Sequence, residues 1–108
     1  MPQRKIKLAP VHPGEILHED FMAPLALSIN ALARALHVPA NHVSGIVNEK
    51  RGISARMALR LARYFGTSPE LWLGSQQDFE LDVARETAAA QIAKEVTTRR
   101  DRGPWDML

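Results

Sequence analysis

Between residues 40 and 51 the chain carries Asn41, His42, Ser44, Asn48, Lys50 and Arg51, with Val43, Ile46 and Val47 set among them. These polar side chains suit recognition rather than bond-making. An asparagine amide can pair with adenine N6 and N7 in the major groove. A histidine can donate to a base acceptor or a phosphate. Lysine and arginine neutralise phosphates, which position a protein on DNA, while base contacts specify the sequence. A helix over residues 40–48 turns the three apolar residues inward. Its outward set is then Ala40, Asn41, His42, Ser44, Gly45 and Asn48. Gly45 allows close approach on that side, or only weakens the helix. An ordinary solvated helix face has a similar look, so the surroundings must decide.

Those surroundings supply a second helix and a break. Ser28 is a helix cap, followed by Ile29, Leu32, Ala33 and Leu36 at helical spacing. His37-Val38-Pro39 then interrupts, and the helix of residues 40–48 begins. Two short helices joined by so tight a turn cross at a wide angle, and one side of the second stays free. This is the helix-turn-helix arrangement, whose second helix enters the DNA major groove. A small residue is needed where the helices touch, and Ala33 supplies it. Leu32, Leu36, Val38, Val43 and Ile46 provide the apolar contacts. His37 stands where glycine is common, because the backbone there tends to positive φ, which histidine tolerates better than most residues.

The loop at residues 48–52 brings Lys50 and Arg51 towards phosphates flanking the groove. Asn30 and Ser54, near the starts of their helices, are further phosphate-binding candidates, because free N–H groups gather there. Either could equally be a cap or an exposed polar group.

The remaining elements are all helical. Pro13 starts a first helix, with Glu15 near its positive end, Ile16, Leu17 and Phe21 inward, and Pro24 as its stop. A helix capped by Ser54 ends at Phe65 before Gly66. Met57, Leu61 and Phe65 form its core side, and Arg56, Arg60 and Arg63 its solvated side. Ser68-Pro69 opens a last helix that reaches about Val96, with an interruption near residues 80–82. Trp72, Phe79 and Val83 are its inward residues. A second apolar line, Leu81, Ala84, Ala88 and Ile92, exceeds what one small core needs. It fits either contact with a partner or packing within the chain. The expected division is a basic arm at residues 1–11, a domain at 12–98 and a flexible tail at 99–108, where Trp105 has little to pack on.

Composition narrows the class. The 108 residues suit one domain and include no cysteine, which excludes disulfides and thiolate metal sites. The first residues lack the apolar run of a secretory signal, and no stretch is long and apolar enough to span a membrane, so a cytoplasmic location is expected. Net charge is only +2, but it is unevenly spread. Lys50, Arg51, Arg56, Arg60 and Arg63 face no acid between residues 50 and 63, while over residues 70–86 the charges are Glu70, Asp78, Glu80, Asp82 and Glu86 against Arg85 alone. His12, His18, His37 and His42 are not at metal-ligand spacing. The acids around His18 have neither a nucleophile nor a phosphate-cradling loop beside them. No catalytic residue, metal or cofactor is expected.

HPGEIL, LARALHVPANHVSGIVN, KRGIS, MALRLARYFGTSPELWL and FELDVA, in that order, resemble the HigA-type antitoxins of addiction modules, a lambda-repressor-like helix-turn-helix family. The resemblance spans residues 8–86. It implies an all-α fold: a five-helix helix-turn-helix domain, here with an extended C-terminal helix. It also implies a dimer that binds operator DNA, represses its own operon and neutralises a RelE-like toxin that cleaves messenger RNA. On this sequence the family's recognition helix falls at residues 40–48, and its KRG segment is Lys50, Arg51 and Gly52. The chain departs from the family at His37 and in the final twelve residues. The line Leu81, Ala84, Ala88 and Ile92 becomes a candidate for dimer or toxin contact.

A dimer is expected on physical grounds as well. One recognition helix and one basic loop neutralise few phosphates, and two copies would read a palindrome with half-sites roughly 34 Å apart. Two alternatives remain: a helix-turn-helix regulator without a toxin, and a helical protein-interaction adaptor that does not bind DNA.

Overall fold

The computed structural model describes residues 9–99, and every element in that span is helical. The order is α1 (Pro13–Ile16), a π-helical continuation (Leu17–Met22), α2 (Ile29–Leu36), α3 (Ala40–Val47), α4 (Ala55–Phe65) and α5 (Pro69–Glu95). The expected arm and tail lie outside the described residues, apart from residues 9–11 and Arg99.

The start of α1 is fixed by its neighbour. His12 is its cap, and the His12 Nδ1 accepts the Gly14 N–H at 2.9 Å. Pro13 follows as the first helical residue, where a missing N–H costs nothing. The helix then widens: the Ala23 N–H donates to the His18 carbonyl, five residues back, at 2.8 Å. It closes at Met22, ahead of the expected stop at Pro24.

Ser28, Ser54 and Ser68 cap α2, α4 and α5. Each hydroxyl accepts an N–H from three residues on: Ala31 at 3.0 Å, Met57 at 3.2 Å and Leu71 at 3.2 Å. Gly66 ends α4 in the left-handed conformation. Contrary to expectation, α5 has no interruption at residues 80–82. No proline or glycine lies there, and ordinary helix formers carry the helix through to Glu95.

The core joins α1, its continuation and α2 to α4 through Leu17, Met22, Leu32, Leu36, Val43, Ile46, Met57 and Leu61. Each such side chain contributes roughly 1.5–3 kcal/mol on leaving water. Trp72, fully buried, carries the core onto the first turns of α5. Phe21 packs on it with ring centroids 4.8 Å apart, and the Trp72 Nε1 donates to the Thr67 hydroxyl at 2.9 Å. Among the described residues beyond Val83, only Ala88 is even half-buried. The second half of α5 therefore projects from the body, and the molecule measures 56 × 28 × 26 Å.

Candidate nucleic-acid interface

The α2–α3 turn has the conformation that the motif requires. His37 adopts φ 59° and ψ 45°, in the left-handed region. The His37 N–H donates to the Arg34 carbonyl at 3.2 Å, and the Val38 N–H to the Ala33 carbonyl at 3.0 Å. These bonds satisfy carbonyls that the end of α2 would otherwise leave open. Pro39 stays extended, with φ −63° and ψ 148°, one position ahead of the first helical residue. Ala33 is buried, as its role between the helices demands, and Val38 is half-buried.

Val43 and Ile46 of α3 are fully buried and Val47 is half-buried. On the other side Ala40, Asn41 and Asn48 are exposed, while His42, Ser44 and Gly45 are half-buried. Two of the candidates hold each other: the Asn48 Nδ2 donates to the Ser44 hydroxyl at 3.1 Å. That bond orders both side chains and leaves the amide oxygen of Asn48 available.

Glu49, at φ 61°, bends the chain after α3. The Gly45 carbonyl then accepts the N–H of Lys50 at 2.8 Å and of Arg51 at 3.2 Å. Both cations are exposed. The far side of the loop is held by a residue that sequence reading passed over. The Gln76 Oε1 accepts the Ile53 N–H at 2.8 Å, and its amide lies against Gly52. The Gln76 Nε2 in turn donates to the Glu80 Oε2 at 2.9 Å. A glutamine mid-helix has no sequence signal for such a role.

Gly45 does not present an empty surface. A Cβ there would come within 2.8 Å of the Arg51 Cδ, so the arginine stem already occupies that space. Arg60 is exposed, as are Arg56 and Arg63 of the expected solvated stripe, but it also makes a contact. Its Nη1 donates to the Leu36 carbonyl at 2.7 Å and so closes the end of α2. Burial, then the charges of Arg51 and of Arg60, hold the His42 pKa below its ordinary value. The shift favours the neutral ring, in which one nitrogen is a donor and the other an acceptor.

The other candidates sit at helix starts. Asn30 is exposed in the first turn of α2. The Ser54 hydroxyl accepts the Met57 N–H, so Ser54 is a cap. His12 is buried against Phe79, ring centroids 4.8 Å apart, and His18 is exposed beside Glu19. Among the described residues no group of three His, Cys, Asp or Glu could hold a metal ion, and no helix is long and apolar enough to cross a membrane.

On α5 the sequence's two apolar lines separate. Trp72 is core, with Phe79 and Val83 half-buried. Leu81 and Ile92 are 46% and 51% exposed, Ala84 is exposed and Ala88 half-buried. Packing among the described residues does not cover Leu81 or Ile92. With Ala84, Arg85, Ala89 and Ala93 they line a shallow apolar groove.

A helix-turn-helix family model matches residues 20–72. Virulence-associated protein I of Dichelobacter nodosus is 45% identical over 80% of both chains. The structure of the Pseudomonas aeruginosa antitoxin HigA with the higBA promoter is 46% identical. It superposes with a TM-score of 0.82 over 84% of this chain and 99% of that one. The chain belongs to the HigA-type antitoxin family. Antitoxin HigA-1 of Vibrio cholerae is a further member, 38% identical over 72% of this chain and 73% of its own. The fold is accordingly the family's lambda-repressor-like helix-turn-helix, and two of these relatives are antitoxins by name.

Proposed function

We propose that the protein is an antitoxin that binds operator DNA as a dimer, represses its own operon and neutralises a RelE-like toxin that cleaves messenger RNA. Within this reading α3 enters the major groove. Asn41, His42, Ser44 and Asn48 meet base edges, Ala40 and Gly45 allow the approach, and Lys50 contacts a phosphate. Asn30 and Ser54 mark the starts of α2 and α4, where backbone N–H groups add phosphate contacts. Leu81, Ala84, Ala88 and Ile92 provide the dimer or toxin contact.

The observation that carries the reading is the open polar face of α3, backed by fully buried Val43 and Ile46. The P. aeruginosa relative, with a promoter in its structure, supports the DNA partner. Footprinting on the DNA upstream of the gene is the test. Two protected half-sites related by a dyad, about one helical turn apart, are expected. No protection at any site would exclude an operator-binding repressor. For the toxin, co-expression with a small basic protein encoded beside the gene should restore growth and give a complex that co-purifies. A neighbour that neither inhibits growth nor binds would leave a plain regulator.

A further inference from the structure

The recognition helix has no arginine of its own. The loop after it supplies one. Arg51 lies six residues beyond Gly45, yet its stem runs back across that glycine. The contact tightens along the side chain: a Gly45 Cβ would sit 4.0 Å from the Arg51 Cβ, 3.1 Å from Cγ and 2.8 Å from Cδ. The root of the side chain is fixed as well, because the Arg51 N–H donates to the Gly45 carbonyl. Gly45 belongs to the outward face of α3 with Asn41, His42, Ser44 and Asn48, not to its margin. The charge of Arg51 is felt at His42, one turn back along the helix.

We propose that Arg51 is a specificity-determining residue: laid across Gly45, it presents its guanidinium to the major-groove edge of a guanine rather than to a backbone phosphate. The proposal rests on the DNA-binding reading above. A guanidinium offers two parallel N–H donors that match guanine O6 and N7, and a lysine ammonium does not. Glycine at position 45 is what leaves room for the stem, since any larger side chain would push it off the face. Lys50, one residue earlier, remains a plain phosphate contact.

The test compares affinity for the footprinted operator, for operators with single base-pair changes, and for unrelated DNA. The proteins are wild type, Arg51→Lys, Gly45→Ala and Lys50→Ala, each checked by its melting curve. Arg51→Lys should weaken operator binding about 5- to 150-fold. It should leave binding to unrelated DNA nearly unchanged and erase the preference at one G·C pair per half-site. Gly45→Ala should lose the same preference, and adding it to Arg51→Lys should cost little more. Lys50→Ala should weaken both DNAs alike and reduce the salt slope by about 1. Full operator preference in Arg51→Lys, or equal losses on both DNAs, would overturn the proposal alone. A wild-type chain without any operator preference would overturn the DNA-binding reading, and this assignment with it.

Discussion

Gly14, in the first turn of α1, rests directly against the carbonyl oxygen of Ile46, near the end of α3. A methyl group at position 14 would overlap that oxygen, which is backbone and cannot swing aside. The recognition helix is thus seated on α1 through a glycine, and its position depends on that close approach. Gly14→Ala should destabilise the fold by about 1–3 kcal/mol, or more. Gly74→Ala is the control: a Cβ there meets nothing within 4 Å, and α5 should gain about 1 kcal/mol. Denaturant titration of the two variants should show shifts of opposite sign.

The α2–α3 turn holds a second local strain. His37, at φ 59°, adopts a conformation that costs an L-residue roughly 1–2 kcal/mol. His37→Gly should stabilise the protein by about 1 kcal/mol, part of the relief being offset by the greater freedom of glycine in the unfolded chain. His37→Val should destabilise it, because a branched Cβ fits that region poorly. Equal stability of the two variants would contradict the role given to the turn.

Acid should weaken the fold through His12. Its Nδ1 accepts the Gly14 N–H, and its pKa is lowered by burial, with the charge of Glu49 opposing more weakly. A histidine with a lowered folded pKa takes up its proton more readily in the unfolded chain. Stability is then complete above about pH 6.5 and falls as pH drops from there towards the folded value. His42, lowered as well, adds in the same direction. The melting temperature should be lower at pH 5.5 than at pH 7.5. His12→Asn, which keeps a capping acceptor, should shrink that difference. An unchanged difference in the variant would remove His12 from the account.

The second apolar line of α5 predicts separable losses. Leu81→Glu with Ile92→Glu should leave the thermal transition of the individual chain nearly intact, since both residues are about half exposed. Sedimentation should then report a monomer, or co-purification a lost toxin complex. Unfolding of the double variant would place these residues in the core instead.

Most of the helical frame was legible because its signals are local. Ser28, Ser54 and Ser68 cap where they were expected to, Gly66 stops α4, and the residues 37–39 break falls between buried Leu36 and Val43. The contacts that hold the interface in place were not legible, because they join residues distant in sequence. Gln76 bonds to Ile53, Arg60 to the Leu36 carbonyl, and Gly14 meets Ile46. No periodicity encodes such pairs. The π-helical turn was hidden for another reason: Leu17–Met22 reads as ordinary amphipathic helix, and only the bond from Ala23 to His18 reveals the wider turn. The continuity of α5 through residues 80–82 has a local cause as well: Glu80, Leu81 and Asp82 include no proline or glycine, and the helix passes through them to Glu95.

The central claim is that the outward face of α3 and the loop after it hold DNA. Operator affinity measured across a salt series, for the wild type and for Asn41→Ala with Lys50→Ala, tests it most directly. The account predicts a wild-type log–log plot that falls steeply and linearly with salt, and a variant with weaker binding and a shallower slope. A variant that binds as tightly as the wild type, with the same slope, would contradict it.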